Sequence, residues 1–303
     1  MKRGFLFFSF LTAILLVYAL YQALFVAPAD AQQGEVYRII YYHVPSAWTA
    51  FLLFSINFVA SVQFLVNAKA SARTAAKWIV IGIAVVGVIV PFVPQVAGQL
   101  TSAGMRPSAL ATTIVLIPVF YFLLGKWFPG EKLDVLAVTT AEVGVVFCTV
   151  VLVTGPIWAR PVWGIWWAPG DIRLTSTLVL WLIYVSYLVL RKFSNSAQTQ
   201  MLAAALAVFG ALDVPLVYFS IWFFRTQHPQ PVIGGGGSID PKMLHVLLLS
   251  WVAFLCFAFL VCWSRFRLEL LHREVEERYA LASLLEPNGV GAGAGIQVKR
   301  GGQ

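Results

Sequence analysis

The chain has 303 residues, 60% of them hydrophobic and 11% charged, with a mean hydropathy of +0.82 and a formal net charge of +8. These values lie outside the soluble globular range and read as an integral membrane protein. Alternating polar and apolar strand segments are absent, which argues against a β-barrel, and the positive charge follows membrane topology rather than a nucleic-acid footprint.

In chain order, eight mostly apolar stretches are long enough to cross a bilayer as helices: 5–27, 47–67, 78–97, 109–125, 135–158, 174–190, 201–224 and 243–263. The fold expected is therefore all-α, a polytopic transmembrane helical bundle of about eight spans. The first stretch, after Lys2 and Arg3 and before Ala29-Asp30-Ala31, also resembles a cleaved signal peptide. Its apolar run exceeds a usual signal core, so a retained first helix is expected. With the N-terminus inside, 15 of the 21 Lys and Arg fall in cytoplasmic segments and 6 in outer loops, an N-in, C-in pattern.

Within the spans, Pro91 and Pro94 read as kinks. Cys148, Cys256 and Cys262 form no C-x-x-C or C-x-x-C-H and read as small hydrophobic filler. Glu142 and Asp213 are costly in lipid, so each should be protonated, paired or turned to a cavity. Residues 264–286 alternate Glu and Arg and are expected to form a charged cytoplasmic helix carrying His272. The Gly/Ala-rich segment 287–303 is expected to be disordered. Domain organisation is thus one transmembrane domain, 1–263, followed by helix and tail.

Four loops open on the outer side; 98–108 has no His or Trp and reads as a connector, and the functional candidates lie in 28–46, 159–173 and 225–242. The second candidate continues a run from Trp158 to Arg173 that holds four tryptophans in sixteen residues. Interfacial belts spread their indoles over many spans, whereas Trp163, Trp166 and Trp167 crowd one loop beside Asp171 and Arg173. A platform for a wide aromatic ligand is the preferred reading. Gly234 to Gly237 lack the strand and G-K-[ST] context of a phosphate loop and read as a hinge.

His43, before Val44-Pro45, and His228, before Pro229, stand beside helix ends on that same side and are paired as metal ligands. Two imidazoles without thiolates or a third ligand make a poor zinc site. Haem needs two axial ligands and a flat apolar wall, which the tryptophans supply. Its propionates need cations, and Arg38, Arg173 and Arg225 carry the forked guanidinium suited to carboxylates. His245, near the outer end of the last span, reads as a hydrogen-bonded helix-end histidine, with substitution for His228 or ligation of a second haem as the alternative.

The loop W-G-I-W-W-A-P-G-D-I-R-L-T resembles the WWD signature of haem-handling membrane proteins. More closely, the chain resembles the family of cytochrome c maturation protein C, the haem exporter C of bacterial system I. Supporting stretches are 32–45, 152–158, 213–220 and 228–243. The resemblance implies non-covalent haem b binding at the outer face of the bacterial cytoplasmic membrane and delivery to a periplasmic haem chaperone. It also implies as partners a small single-span accessory protein and an ATP-binding cassette transporter that releases the loaded chaperone.

By position in the motifs, His43 and His228 correspond to the axial histidines, and Trp163, Trp166, Trp167 and Asp171 to the WWD platform. Asp30, Gln33 and Arg38 fall on polar positions of the first outer loop. The chain departs from the pattern at Trp167-Ala168-Pro169-Gly170-Asp171, which lacks one aromatic and adds a residue. It departs again at Asp213, where relatives carry a neutral polar residue, and at 70–133, which reads as an inserted hairpin on a six-span core. Two other classes share some of these features. A system II type cytochrome c synthase carries the WWD loop with an acidic residue after it, where this chain has Arg173-Leu174-Thr175. A haem b electron-transfer subunit takes its histidines from within the spans.

Overall fold

A computed structural model of the chain describes residues 3–67, 70–89, 92–95, 97–98, 108, 119–128, 130–194, 196–224, 226–229 and 239–285. Eight long helices account for most of them: α1 (Arg3–Tyr21), α2 (Ile40–Asn67), α3 (Ala70–Ile89), α4 (Glu131–Trp163), α5 (Ile172–Phe193), α6 (Ala197–Ala211), α7 (Asp213–Phe223) and α8 (Pro241–Leu285). A short π turn, Gln22–Val26, ends α1, and a 3-10 turn, Glu35–Ile39, leads into α2. No strand is present among the described residues beyond an isolated bridge between Asp30 and Gly34. The protein is an α-helical, multi-pass membrane bundle.

Six helical segments of the described residues are long and apolar enough to cross a membrane: Arg3–Val26, Glu35–Asn67, Glu131–Trp163, Ile172–Phe193, Ala197–Tyr218 and Pro241–Ser283. Six of the eight expected spans coincide with these. The expected span 78–97 overlaps α3, which is not among the six. Of 109–125 only the helical end from residue 119 is described. Pro91, Arg225, the Gly234–Gly237 run and the tail 287–303 lie outside the described residues.

Three helix boundaries differ from expectation, each for a local reason. The tryptophan run begins as helix: α4 continues through Pro156 and Pro161 to Trp163. It stops at Gly164, whose φ of 78° is left-handed and open to glycine, and whose N–H closes on the Arg160 carbonyl. The first outer loop is shorter than expected, because α2 starts at Ile40 and carries His43 on its first turn with Pro45 inside the helix. Expected span seven is broken at Leu212 into α6 and α7. Pro215 explains the break: it cannot donate to residue 211 and its ring crowds that carbonyl, so it is accommodated in the first turn of a new helix.

The core forms around α2, whose buried face (Ser46, Ala50, Leu53, Asn57, Ala60) recurs every three or four residues. It packs against α4, α6 and α8, while α5 joins α4, α6 and α7, and α1 lies outside against α8. At the centre, Phe54 stacks on Tyr184 with centroids 3.9 Å apart, and Gly144 lets α4 approach that ring. A Cβ at Gly144 would stand 2.7 Å from Phe54 Cε1, closer than contact allows.

At the end of the bundle away from His43, Asp134 is 2% exposed and receives both Nη atoms of Arg191, each at 2.6 Å. Arg273 of α8 adds a bond to Asp134 at 2.7 Å and further pairs at 3.1 Å with Glu131 and Glu269. This cluster clamps α4, α5 and α8 together. Glu142 is paired as well, accepting two bonds from Arg265 at 2.7 and 2.8 Å. Asp213 is not paired among the described residues: its Oδ2 is buried without a partner, and the side chain lines a small groove with Pro169, Gly170 and Thr175.

Candidate functional site

The starts of α2, α5 and α8 and the ends of α4 and α7 meet at one end of the bundle. Between α2, α4, α5 and α7 they enclose a cavity of about 1470 Å³, counting the part open to solvent. His43, Tyr37, Trp158, Trp163, Trp167, Arg173, Tyr218 and His228 line its mouth. Ala50, Phe51, Cys148 and Val217 line its floor. Gly155 and Cys148, on one wall, are about 10 Å apart along α4 at 1.5 Å per residue, so the cavity descends well into the apolar layer.

The two histidines face each other across it, with ring centroids 6.4 Å apart and planes inclined by 32°. The hydrogen bonds around them fix which nitrogen is free. His228 Nδ1 lies 2.9 Å from the Pro229 carbonyl, which can only accept, so Nδ1 carries the proton. His43 Nδ1 lies 2.9 Å from Thr154 Oγ1, whose own proton goes to the Val150 carbonyl at 2.6 Å. Thr154 therefore accepts, and His43 Nδ1 is the donor. Both Nε2 atoms are left with lone pairs and no partner among the described residues. Burial, and then the charge of Arg173, push the His228 imidazole down to about 3, so it stays neutral and able to ligate through the physiological range.

The distance is compatible with a shared metal. One metal ion bonded at about 2 Å to a nitrogen of each ring places the two centroids about 6 Å apart. The observed 6.4 Å is the separation that a shared metal requires, and it also lies within the range of about 4.5–7 Å of ordinary ring pairs. Among the described residues no group of three or more His, Cys, Asp or Glu stands ready for a metal, so the pair offers two imidazole nitrogens and no tetrahedral set.

The aromatic wall differs in detail from the sequence reading. Trp163 and Trp167 line the cavity, but Trp166 does not and is 59% exposed. Trp158 takes the missing place: its indole meets that of Trp163 edge-on at 4.9 Å, and its Nε1 donates to Gln33 Oε1 at 2.8 Å. Asp30 Oδ1 accepts from the backbone of Gln32 and Gln33 at 3.0 and 2.8 Å, forming the turn that presents Gln33. Asp30 and Gln33 thus orient the wall instead of lining it.

The cations divide similarly. Arg173 lines the cavity, and its Nη1 is buried without a partner among the described residues. Arg38 donates to the Ala23 carbonyl at 2.8 Å and to Glu35, which ties the first helix to α2 and takes the guanidinium away from the cavity. Asp171 is buried beside the cavity with its oxygens turned to backbone N–H groups and to the Thr226 hydroxyl. His245 is exposed on α8 and absent from the lining, and His272 pairs with Glu276 at 3.1 Å.

Thr154 and Trp158 are functional positions that sequence reading did not assign. Thr154 lies four residues before Trp158, the spacing that puts two helical side chains on one face. Thr154→Val keeps the shape and removes the acceptor of His43 Nδ1. Any metal bound through Nε2 should weaken about tenfold, while Thr154→Ser should bind as the parent does. Titration of both variants with ferric haem, followed by absorbance, checks this.

The profile of the heme exporter protein C family matches residues 1–105 and 108–281. The chain belongs to the heme exporter protein C family. The match runs through most of residues 70–133 as well as the cavity-forming helices. "Heme exporter protein C" of Bradyrhizobium diazoefficiens is 30% identical over 87% of this chain and 78% of its own length. The protein of the same name from Haemophilus influenzae is 28% identical over 92% of this chain and 90% of its own. That of Escherichia coli K12 is 29% identical over 76% and 68%. The family is one of haem handling in cytochrome c maturation.

Proposed function

We propose that this member of the family binds haem b non-covalently at the outer, periplasmic face of the bacterial cytoplasmic membrane and passes it to a periplasmic haem chaperone. His43 and His228 are the axial ligands, and Trp158, Trp163 and Trp167 form the aromatic wall. Arg173 meets a propionate. The observation that carries the reading is the pair of facing imidazoles, each with Nδ1 engaged and Nε2 free, 6.4 Å apart over an apolar cavity.

The cavity's polarity supports one orientation of the ligand. Its floor is apolar, whereas Arg173 stands at the mouth with an unsatisfied Nη1. Asp171 supplies a nearby negative charge, but a buried N–H without an acceptor is still costly, and a carboxylate at the mouth relieves that cost. The vinyl-bearing edge of the ligand therefore goes down and the propionates up. Asp30, Gln33 and Asp171 belong to the site as supports, and Arg38 and Trp166 to its periphery.

The reading requires no covalent chemistry on protein side chains, so the role is capture and transfer of a cargo. The chain has no Walker motif, so any energy input comes from a partner, in this proposal the ATP-binding cassette transporter, with the small single-span protein completing the assembly.

Handover separates this function from a resident haem subunit. Purified protein loaded with haem and mixed with an apo-chaperone is expected to lose its haem absorbance as the chaperone gains it. Arg173→Ala should load about tenfold more weakly, given what a charge-assisted bond contributes. Haem that stays on the loaded protein through prolonged mixing would reject the transfer role.

A further inference from the structure

The carboxylate of Asp171 serves two elements with its two oxygens. Oδ1 accepts from the backbone N–H groups of Arg173 and Leu174, at 3.0 and 3.3 Å, and caps α5. Oδ2 turns the other way and accepts from the Thr226 hydroxyl at 2.6 Å and the Gln227 backbone N–H at 2.9 Å. The Thr226 oxygen in turn accepts from the His228 backbone N–H at 3.1 Å. Asp171 is 5% exposed and does not line the cavity. A continuous chain of hydrogen bonds thus runs from the start of α5, through a carboxylate and a hydroxyl, to the backbone that presents the second imidazole.

The two histidines are held in different ways. His43 is built into α2, and its ring is pinned from α4 by Thr154. His228 stands in the short segment after α7, where Phe224 has already left helical geometry. Its ring bonds the carbonyl of its own neighbour, Pro229, a contact that travels with the segment. Among the described residues, what ties this segment to the rest of the site is the Asp171–Thr226 pair. A carboxylate suits the task, because it accepts on both oxygens and its charge strengthens each bond.

We infer that Asp171 is a positioning residue that, through Thr226, latches His228 in register with His43, so that His228 is the exchangeable ligand and His43 the anchored one. This rests on the axial reading of the two histidines given above. Opening the latch costs one hydroxyl bond and one N–H bond, while the α5 cap on the other oxygen is untouched. Release of the cargo then begins on the His228 side, where a ligand from an acceptor can take the vacated position.

The test uses the full chain, purified in detergent and loaded with ferric haem, with absorption spectra and the rate of haem loss to excess apomyoglobin as readouts. Thr226→Val leaves the α5 cap intact and carries the test if Asp171→Asn fails to fold. Asp171→Asn keeps an oxygen for the cap but sets an amide N–H against the Gln227 N–H. Both variants are expected to lose haem about tenfold faster. Both should also convert part of the six-coordinate low-spin spectrum to five-coordinate high-spin, with added imidazole restoring the low-spin form. Thr226→Ser, which retains the hydroxyl, is expected to match the parent; behaviour like that of Thr226→Val would overturn the latch. Parent-like spectra and rates in Asp171→Asn and Thr226→Val would also overturn it, provided His228→Ala has lost its sixth ligand in the same assay. A His228→Ala spectrum identical to the parent's would instead overturn the axial reading beneath it.

Discussion

Replacement of His43 with alanine is expected to weaken haem binding by more than about a hundredfold, beyond the 10–100-fold range seen when only a ligand's supporting partner is lost. The physical reason is that His43 combines a ligand with a rigid mount. Its ring is fixed by α2 and by the 2.9 Å bond to Thr154, so its Nε2 is presented at little entropic cost. No further imidazole stands ready to replace it, because His245 and His272 are exposed and outside the cavity lining. Alanine is smaller than histidine and lies on a helical position, so the substitution introduces no clash. The loss should therefore appear in haem affinity with the fold retained. Haem titration beside a thermal melt of the haem-free variant measures both.

The largest effect on stability is expected at the other end of the molecule. Asp134→Ala should destabilise the bundle by about 3–5 kcal/mol, the range for removing one partner from a buried ion pair. Asp134 answers two arginines at once, Arg191 in a bidentate pair and Arg273 at 2.7 Å. Its loss leaves both cations facing a site with no carboxylate in the middle, although Arg273 keeps Glu131 and Glu269 at 3.1 Å. Because α4, α5 and α8 meet there, the variant should melt and aggregate earlier in detergent. Along α4 the cluster is about 30 Å from Gly155 at the cavity wall. The fraction that stays folded should bind haem as the parent does, and an unchanged melting curve would contradict the assigned role of the clamp.

Much of the architecture is legible in the sequence because lipid imposes a simple rule: backbone groups must be satisfied within helices, and apolar length then marks each span. The limits of the reading fall where tertiary structure overrides local signals. The expected span ends at residue 158, whereas α4 continues through Pro161 to Trp163 and the stop is made by Gly164. Pro215, by contrast, does break its span, because Leu212 and Asp213 can restart a helix one residue later. Arg191 and Arg273 register in the sequence as topology charges. Only the packing of three helices reveals that they converge on Asp134.

The site divides along the same line. His43, His228, Trp163, Trp167 and Arg173 are identified by residue type and by the side of the membrane on which they fall, and they line one cavity. Trp166 satisfies the same sequence criteria yet points away, since a three-residue offset on an irregular loop cannot be read as a face. Asp171 and Gln33 carry the motif's polar positions, but their partners, Thr226 and Gln227 for the one and the Trp158 indole for the other, are distant in sequence, while Asp30 serves its own turn. Arg38 looks free in a linear reading and is spent on Ala23 and Glu35. Thr154 is invisible without the structure, because a threonine in an apolar helix ordinarily bonds its own preceding turn, as this one also does.

The central claim is that one iron bridges two imidazoles drawn from distant parts of the chain. Electron paramagnetic resonance of the ferric, haem-loaded protein reads that bridge most directly. A low-spin signal characteristic of two imidazole ligands is predicted for the parent, giving way to high-spin iron in His43→Ala and in His228→Ala alike. High-spin iron in the parent, or a low-spin signal that survives in both single variants, would contradict it.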